Sequence, residues 1–412
     1  MSPRVQASAA SHRGLAILLA TMSALGPFSI DAYMPSMPEI GRTFGVPALA
    51  VQQTLTAYMA PFALMTLWHG AISDSLGRRR VTLVALALFA LASIGCSLAW
   101  SLESLIIFRV LQGMTAGAGM VIGRAIVRDV LDGAEAQRLM SHVSVVFAVA
   151  PAVAPVLGGW LHVWFGWRAV FAFLVLFTCV LWIWCWRALP ETLAPAHRQS
   201  LSPRFLATSY WRVLTTPAFV AATGAITLGA SGLFIYIMSA PVFLIQHLHV
   251  SETGFLWLFG PATSGIMVGA WLLGRAAGRI PRLRTIGIGF ALMALAATAN
   301  VLFHLFHAAV LPWSVVPLFF FVTGMSLTIP SVTLITLDLF PTQRGLAASC
   351  QSFIQTCGNS LTTAVVAPLL WVTPLRMAEG QAVFVALGLG ALVIYVWLAA
   401  RPGATPAAEL TA

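Results

Sequence analysis

The sequence contains no lysine, so all 22 of its basic residues are arginine. That absence removes two kinds of chemistry. A P-loop nucleotide site needs a lysine on the phosphates. A Schiff base to retinal or pyridoxal phosphate needs a lysine amine. Charge of either sign is also scarce. Only 8% of the 412 residues are charged, against about 25% in soluble domains. With 59% hydrophobic residues and a mean hydropathy of +0.90, the chain cannot clothe itself in a polar surface, and most of it must face lipid. The five cysteines lie in apolar runs without zinc-site spacing. The nine histidines form no H-E-x-x-H or similar cluster. No metal and no cofactor are expected. The net charge of +10 raises nucleic acid as a partner, but arginines of cytoplasmic loops explain it more simply, and no nucleic-acid partner is expected.

What is present in abundance is apolar sequence in long runs. A membrane helix needs about 20 mostly apolar residues, and twelve candidates occur, near 14–35, 50–71, 82–100, 104–127, 137–161, 167–187, 213–240, 253–274, 285–306, 312–337, 344–370 and 378–400. Residues 1–13 are short, polar and basic. No small-residue cleavage site follows them, so the next run is expected to be a first membrane helix. With the N-terminus placed in the cytoplasm, seventeen arginines fall inside and only Arg42, Arg168 and Arg376 outside. The positive-inside rule therefore predicts that both termini are cytoplasmic. Trp100, Trp160, Trp164, Trp167 and Trp313 cluster at the expected outer ends, as an aromatic belt would.

The longest polar connection, 188–211, divides the spans six and six. The expected organisation is a six-helix bundle over 1–187, a cytoplasmic linker over 188–211, and a second six-helix bundle with a short cytoplasmic tail over 212–412. A shift of 206 residues lays Arg78, Asp132, Gln137 and Arg138 on Arg284, Asp338, Gln343 and Arg344. Such a repeat is common in transporters, with the substrate site between the halves. The fold class is thus an all-α membrane protein of twelve transmembrane helices in two pseudo-symmetric bundles.

The loop after the second span reads "GAISDSLGRRRV". Its Gly70, Asp74, Gly77, Arg78 and Arg79 resemble the G-x-x-x-D-x-x-G-R-R motif of the major facilitator superfamily, with Ser75 where a basic residue usually follows the aspartate. "RVLQG" at 109–113 looks like the second motif of that superfamily. "APAVAPVLGGW" resembles its antiporter motif, with Ala150 and Ala154 in place of two glycines and Pro155, Gly158 and Gly159 retained. With "SIDAYMPSMPEI" and "LPETL", nearly the whole chain is similar to the bicyclomycin/chloramphenicol-resistance (Bcr/CflA) branch of drug–proton antiporters. The resemblance implies a multi-pass protein of the bacterial inner membrane, acting as a monomer on small-molecule drugs and protons.

Each motif has a physical reading of its own. The arginines of residues 70–81 can serve topology alone. The glycines and Asp74 suggest in addition a conformational latch of Gly70, Asp74, Gly77, Arg78, Arg79 and Asp129. In it Arg78 pairs with Asp129, and Asp74 meets the N-terminus of the eleventh helix, where the dipole favours an anion. Asp31 lies about 25 Å along the first helix and Arg109 about 8 Å down the fourth, at similar depth in the outer part of the membrane. Asp31 is either a solvated cap beside Pro35 and Pro38 or, with Arg109, a proton-coupling site. Burial favours a neutral acid and a guanidinium favours a carboxylate, so a site with both can exchange protons as access changes. Arg109 can instead organise helix packing, and Gln112 can share either role. Pro151, Pro155, Gly158 and Gly159 form either an ordinary kink or a hinge between the halves. Tyr58, Gln112, Phe234, Tyr236 and Trp257 are the candidates for a drug-binding surface, with core or lipid packing as the alternative for the aromatic ones.

The expected function is proton-coupled drug export without enzymatic activity. An importer or symporter on the same fold is the first alternative, because fold does not fix direction. A polytopic membrane enzyme is disfavoured, since the outer loops are too short to hold a donor substrate.

Overall fold

The computed structural model describes residues 9–130, 133–193, 198, 203–276, 278–341 and 343–400. Arg4, Arg401, Asp132 and most of 194–202, all used in the sequence reading, lie outside them. The described residues contain no β-strand, as lipid requires of any chain that is not a closed barrel.

The first half comprises α1 (Ala9–Asp31), α2 (Met37–Phe44), α3 (Ala48–Leu76), α4 (Arg78–Ser97), α5 (Leu102–Ala116), α6 (Ala118–Val130), α7 (Gly133–Phe165) and α8 (Trp167–Ala188). A connecting helix, α9 (Pro203–Leu214), follows. The second half comprises α10 (Pro217–Met238), α11 (Leu256–Ala276), α12 (Arg282–Phe306), α13 (Val316–Asp338), α14 (Arg344–Leu361), α15 (Ala367–Leu370) and α16 (Pro374–Ala399). Helix α1 continues through a 3₁₀ turn at Met34–Ser36 into α2, α5 into α6, and α14 through a π-helical turn at Thr362–Val366 into α15. Joined in this way, the helices make the twelve expected passes. Among the described residues, nine of them are long and apolar enough, by length and composition, to cross a membrane. The other three passes are α3, α7 and α14–α15. Helix α9 was not foreseen, since its segment reads as a polar linker.

Local chemistry sets the boundaries. Gly77 separates α3 from α4 at φ +99°, a region open to glycine and strained for other residues. Ser101 begins α5 with a capping box, its hydroxyl accepting from the Ser104 N–H. Proline near the first position opens α10 and α16, where no backbone donor is lost.

Helix pairing repeats between the halves. In the first, α4 packs on α8 and α5, α3 on α5, and α1 on α7. In the second, the corresponding pairs are α12 on α16 and α13, α11 on α13, and α10 on α14. The halves meet through α3 on α14 and α7 on α11, two contacts that exchange under the same two-fold relation. The burial pattern is inverted relative to a soluble protein. Leu91, Leu295 and Val393 are exposed, while Gln52, Arg109, Gln112, Asn300 and Gln381 are wholly enclosed. Only an apolar solvent makes that arrangement favourable. Trp100, Trp160, Trp164 and Trp313 are exposed as a belt requires, but Trp167 is buried. It packs edge-on against Phe44 and Phe171, so it is a core residue.

Candidate functional site

Asp31 and Arg109 are buried charged side chains of the first half. Asp31 is the last residue of α1 and is 6% exposed. Among the described residues its carboxyl has no hydrogen bond and no ion pair. Arg109 of α5 is fully enclosed. Its guanidinium lies over the rings of Tyr58, 4.3 Å from the centroid, and Tyr33, 4.8 Å. Nη1 donates to Gln112 Oε1 at 2.8 Å, while Nε and Nη2 have no hydrogen-bond partner. Gln112 in turn donates to Ser93 Oγ at 2.7 Å. The tyrosines are themselves fixed. The Tyr58 hydroxyl bonds Ser29 Oγ and donates to Gly26 O, and the Tyr33 hydroxyl bonds Thr54.

The expected Asp31–Arg109 contact is therefore absent. Aromatic faces, which carry partial negative charge, take the place of a counter-ion. Tyr58 lies under the guanidinium, and its hydroxyl is taken up by Ser29 and Gly26. A buried acid without a partner among the described residues and a buried cation with two unbonded nitrogens are costly in lipid, which makes them the candidates for a site.

The expected drug-binding residues do not form one surface here. Tyr58 and Gln112 are enclosed around Arg109. Tyr236 is enclosed as well, accepting from Asn300 Nδ2 at 2.8 Å and lying edge-on to Phe243. Trp257 sits on the exposed stripe of α11 with Trp271, and Phe234 is half-buried. A cavity of about 320 Å³ opens instead between the halves, lined by Met37, Arg42, Gln52, Met238, Gln246 and Trp371. Neither Asp31 nor Arg109 lines it.

At the arginine-rich end, Arg78 is 6% exposed. It pairs with Asp74 one turn back, holds Asp129 at 3.0 Å, and donates to Ser73 Oγ at 2.6 Å. Asp74 makes no bond to α14, so the expected contact with the other half is not formed. The carboxylate that caps a helix here is Glu191, from "LPETL". It accepts from the Arg78 N–H at 2.9 Å and the Arg79 N–H at 3.3 Å, at the first turn of α4, where the dipole favours an anion. Thr192 donates to Asp129 at 2.9 Å and Arg79 to Trp186 O at 2.7 Å. The loop is thereby tied to α6 and α8 of its own half. Sequence reasoning missed Glu191 because 113 residues separate it from the N–H it caps. Gly70 has no steric requirement, since a methyl there would meet Val121 at 3.8 Å, an ordinary contact. The second half carries a looser counterpart, with Arg282 and Arg344 on Asp338 at 3.1 and 3.0 Å.

Direct bonds between the halves gather at the opposite end. Gln52 Nε2 donates to Met238 O and Thr363 O at 3.3 and 3.4 Å, and Gln53 to Ala364 O at 3.5 Å. The π-helical turn spaces its backbone bonds more widely and presents the last two carbonyls to those amides. Helix α7 runs unbroken through Pro151 and Pro155. Its adjacent glycines face different neighbours. Gly158 lies directly on the Ala32 carbonyl, within its own half, and Gly159 lies on the Glu252 carbonyl of the other half. One turn on, His162 reaches Glu39 and Glu252. At the arginine end, the bond across comes from the connecting helix, Tyr210 donating to Leu67 O at 2.8 Å.

Comparison with known proteins fits this architecture. The family description "Major Facilitator Superfamily" matches residues 18–367. An uncharacterized MFS-type transporter, YdgK of Bacillus subtilis, is 32% identical over 385 residues, covering 92% of this chain and 94% of its own. Multidrug resistance protein D of Escherichia coli is 27% identical over 388 residues, covering 93% and 95%. Among solved structures, a bacterial homologue of the human lysosomal transporter Spinster, in an inward-facing and unoccupied conformation, aligns with a TM-score of 0.69. It is 16% identical and covers 95% of this chain and 97% of its own, a likeness of fold.

Proposed function

The chain belongs to the major facilitator superfamily of transporters, and from that premise we propose that it is a proton-coupled exporter of small lipophilic drugs in the bacterial inner membrane. The observation that carries this reading is Asp31, a buried acid with no hydrogen bond or ion pair among the described residues, in the same half as an enclosed arginine held on aromatic faces. With the arginine-rich end in the cytoplasm, as the positive-inside rule requires, the halves are joined outside and Asp31 lies near the closed outer mouth. A neutral Asp31 needs no counter-ion, and an ionised one attracts Arg109 off the tyrosines. Proton loss and drug entry then move the same three side chains, so the proton gradient can be spent on drug movement without ATP. The full-length relative named as a multidrug resistance protein supports a drug cargo, as do the motifs of the Bcr/CflA branch. The latch at 70–81, in which Asp74 reaches the other half, belongs on this reading to the outward-open state, and the pairing within its own half to the state seen here.

The test is drug flux in vesicles of opposed pH gradients. Export is expected to follow the gradient, and Asp31→Asn is expected to insert normally and lose gradient-driven efflux. Normal driven efflux by Asp31→Asn overturns the proton site. Uptake driven by the gradient in the wild type favours the symporter alternative.

A further inference from the structure

The arginine-rich end of the second half carries Arg275 in the last turn of α11, Arg279 in the turn that follows, Arg282 and Arg284 in the first turn of α12, and Arg344 at the start of α14. The sequence holds a single acidic residue between Glu252 and Glu379, namely Asp338. Arg282 and Arg344 share it, at 3.1 and 3.0 Å. Arg275, Arg279 and Arg284 are exposed, and among the described residues their side chains make no ion pair and no hydrogen bond. The first half is arranged otherwise. There Asp74 and Asp129 hold Arg78, and Glu191 closes the first turn of α4. Among the described residues no carboxylate takes that place on α12, which follows Pro281 without a side-chain cap. The positive-inside rule accounts for arginine in this loop, but not for three arginines left without an anion.

Each of these three arginines stands beside apolar surface that faces outward. Arg275 lies one turn beyond Trp271, and its guanidinium is 3.9 Å from the centre of that ring. Trp271 is exposed, as is Met267 one turn before it. On α12 the order is mirrored, since Arg284 is followed one turn later by exposed Ile288 and, further along the same stripe, by exposed Leu295. Arg279 precedes exposed Ile280 in a turn closed by its N–H on the Ala276 carbonyl. Helices α11 and α12 are both backed by α13, and the short turn 277–281 keeps the charged ends of the two stripes together. A guanidinium resting on a ring face keeps all of its N–H donors. Two parallel donors of that kind fit a phosphate. A free anion would gain only the charge, whereas a lipid also lays its acyl chains along the stripes.

We propose that Arg275, Arg279 and Arg284 bind the headgroup phosphate of an anionic phospholipid, whose acyl chains run along Trp271 and Ile288. This rests on membrane residence alone and not on drug or proton exchange. The lipid supplies to the second half the negative charge that Asp129 and Glu191 supply to the first. A zwitterionic lipid carries its own ammonium beside the phosphate and leaves the arginines uncompensated, so the site selects lipids of net negative charge.

The experiment uses the full chain in detergent micelles with equal amounts of phosphatidylglycerol and phosphatidylcholine of the same acyl chains. Native mass spectrometry reads the ratio of the two lipids retained. The wild type is expected to retain phosphatidylglycerol in preference. An arginine at the headgroup layer is worth about fivefold in binding anionic lipid, so Arg284→Gln should lower the ratio about fivefold. Arg275→Gln, Arg279→Gln and Arg284→Gln together should lower it about a hundredfold. Melting of each variant in phosphatidylcholine alone is expected to match the wild type, which separates loss of the site from loss of the fold. Arg80→Gln, at an exposed arginine of the first half at the same end, is expected to leave the ratio unchanged. A wild type without preference overturns the proposal. So does an Arg80→Gln loss equal to that of Arg284→Gln, which would assign the preference to surface charge at large. Displacement of phosphatidylglycerol by millimolar inorganic phosphate would show a site for free anions, and overturns the lipid assignment.

Discussion

Three glycines of the first half, each replaced by alanine, separate the stability of a half from the balance between conformations. At Gly70 the added methyl meets Val121 Cγ1 at 3.8 Å, ordinary van der Waals contact, and no loss is expected beyond about 0.5 kcal/mol. At Gly158 it lands on the Ala32 carbonyl, which belongs to the same half in every conformation. Overpacking of this kind costs about 1–3 kcal/mol, so Gly158→Ala should melt several degrees lower. At Gly159 the methyl comes to 2.5 Å from the Glu252 carbonyl and 3.4 Å from Thr253 Cα, both in the other half. The strain vanishes when the halves part. The same energy therefore appears as a shift of about 5–150-fold toward the state open at this end, with melting of the individual halves unchanged. Thermal melting in detergent and the distance between spin labels at Leu98→Cys and Val310→Cys, exposed positions at this end in opposite halves, measure the two effects. The reasoning fails if Gly159→Ala lowers the melting point while the distance distribution stays the same, or if Gly158→Ala moves the distance and not the melting point.

Arg109→Lys keeps the charge but loses the planar group that stacks on Tyr58 and Tyr33 and bonds Gln112. Driven efflux should fall at least tenfold with normal insertion, and wild-type efflux would show that charge alone suffices. Glu191→Gln removes an anion from the first turn of α4, worth about 0.3–1 kcal/mol. It should slow the transport cycle without changing which drugs are carried, and an altered resistance spectrum would place Glu191 in the drug path instead. Gln52→Ala removes the amide that spans to Met238 and Thr363. The rate of cysteine labelling at that same end should rise, and an unchanged rate would show that the glutamine does not hold the closed mouth.

The fold was legible to a high degree because lipid imposes a one-dimensional rule, in which length and apolarity of each run decide whether it spans. The twelve passes, the six-and-six division and the arginine-rich end all follow from it. The rule is blind inside the bundle. Asp31 and Arg109 were visible as unusual residues at a common depth, but the tyrosine faces that take the place of an ion pair depend on rotation of α1, α3 and α5 about their axes. Tyr236 and Trp257 were both plausible as pocket residues, yet one is sealed in a hydrogen-bonded core and the other faces outward on α11. No local signal distinguishes these fates, because periodicity is weak in helices that are apolar on every side.

Membrane residence, helix count and the division into halves were determined by the sequence alone, since each depends on the transfer of contiguous segments from water to lipid. Which half each acidic group serves was decided only by tertiary structure. Glu191 caps a helix more than a hundred residues away, Asp74 stays within its own half, and Glu252 crosses to a histidine of the other. The physical reason is range. Partition energies add along the chain, whereas hydrogen bonds and ion pairs require atoms within about 3 Å, and that proximity exists only after the helices have packed.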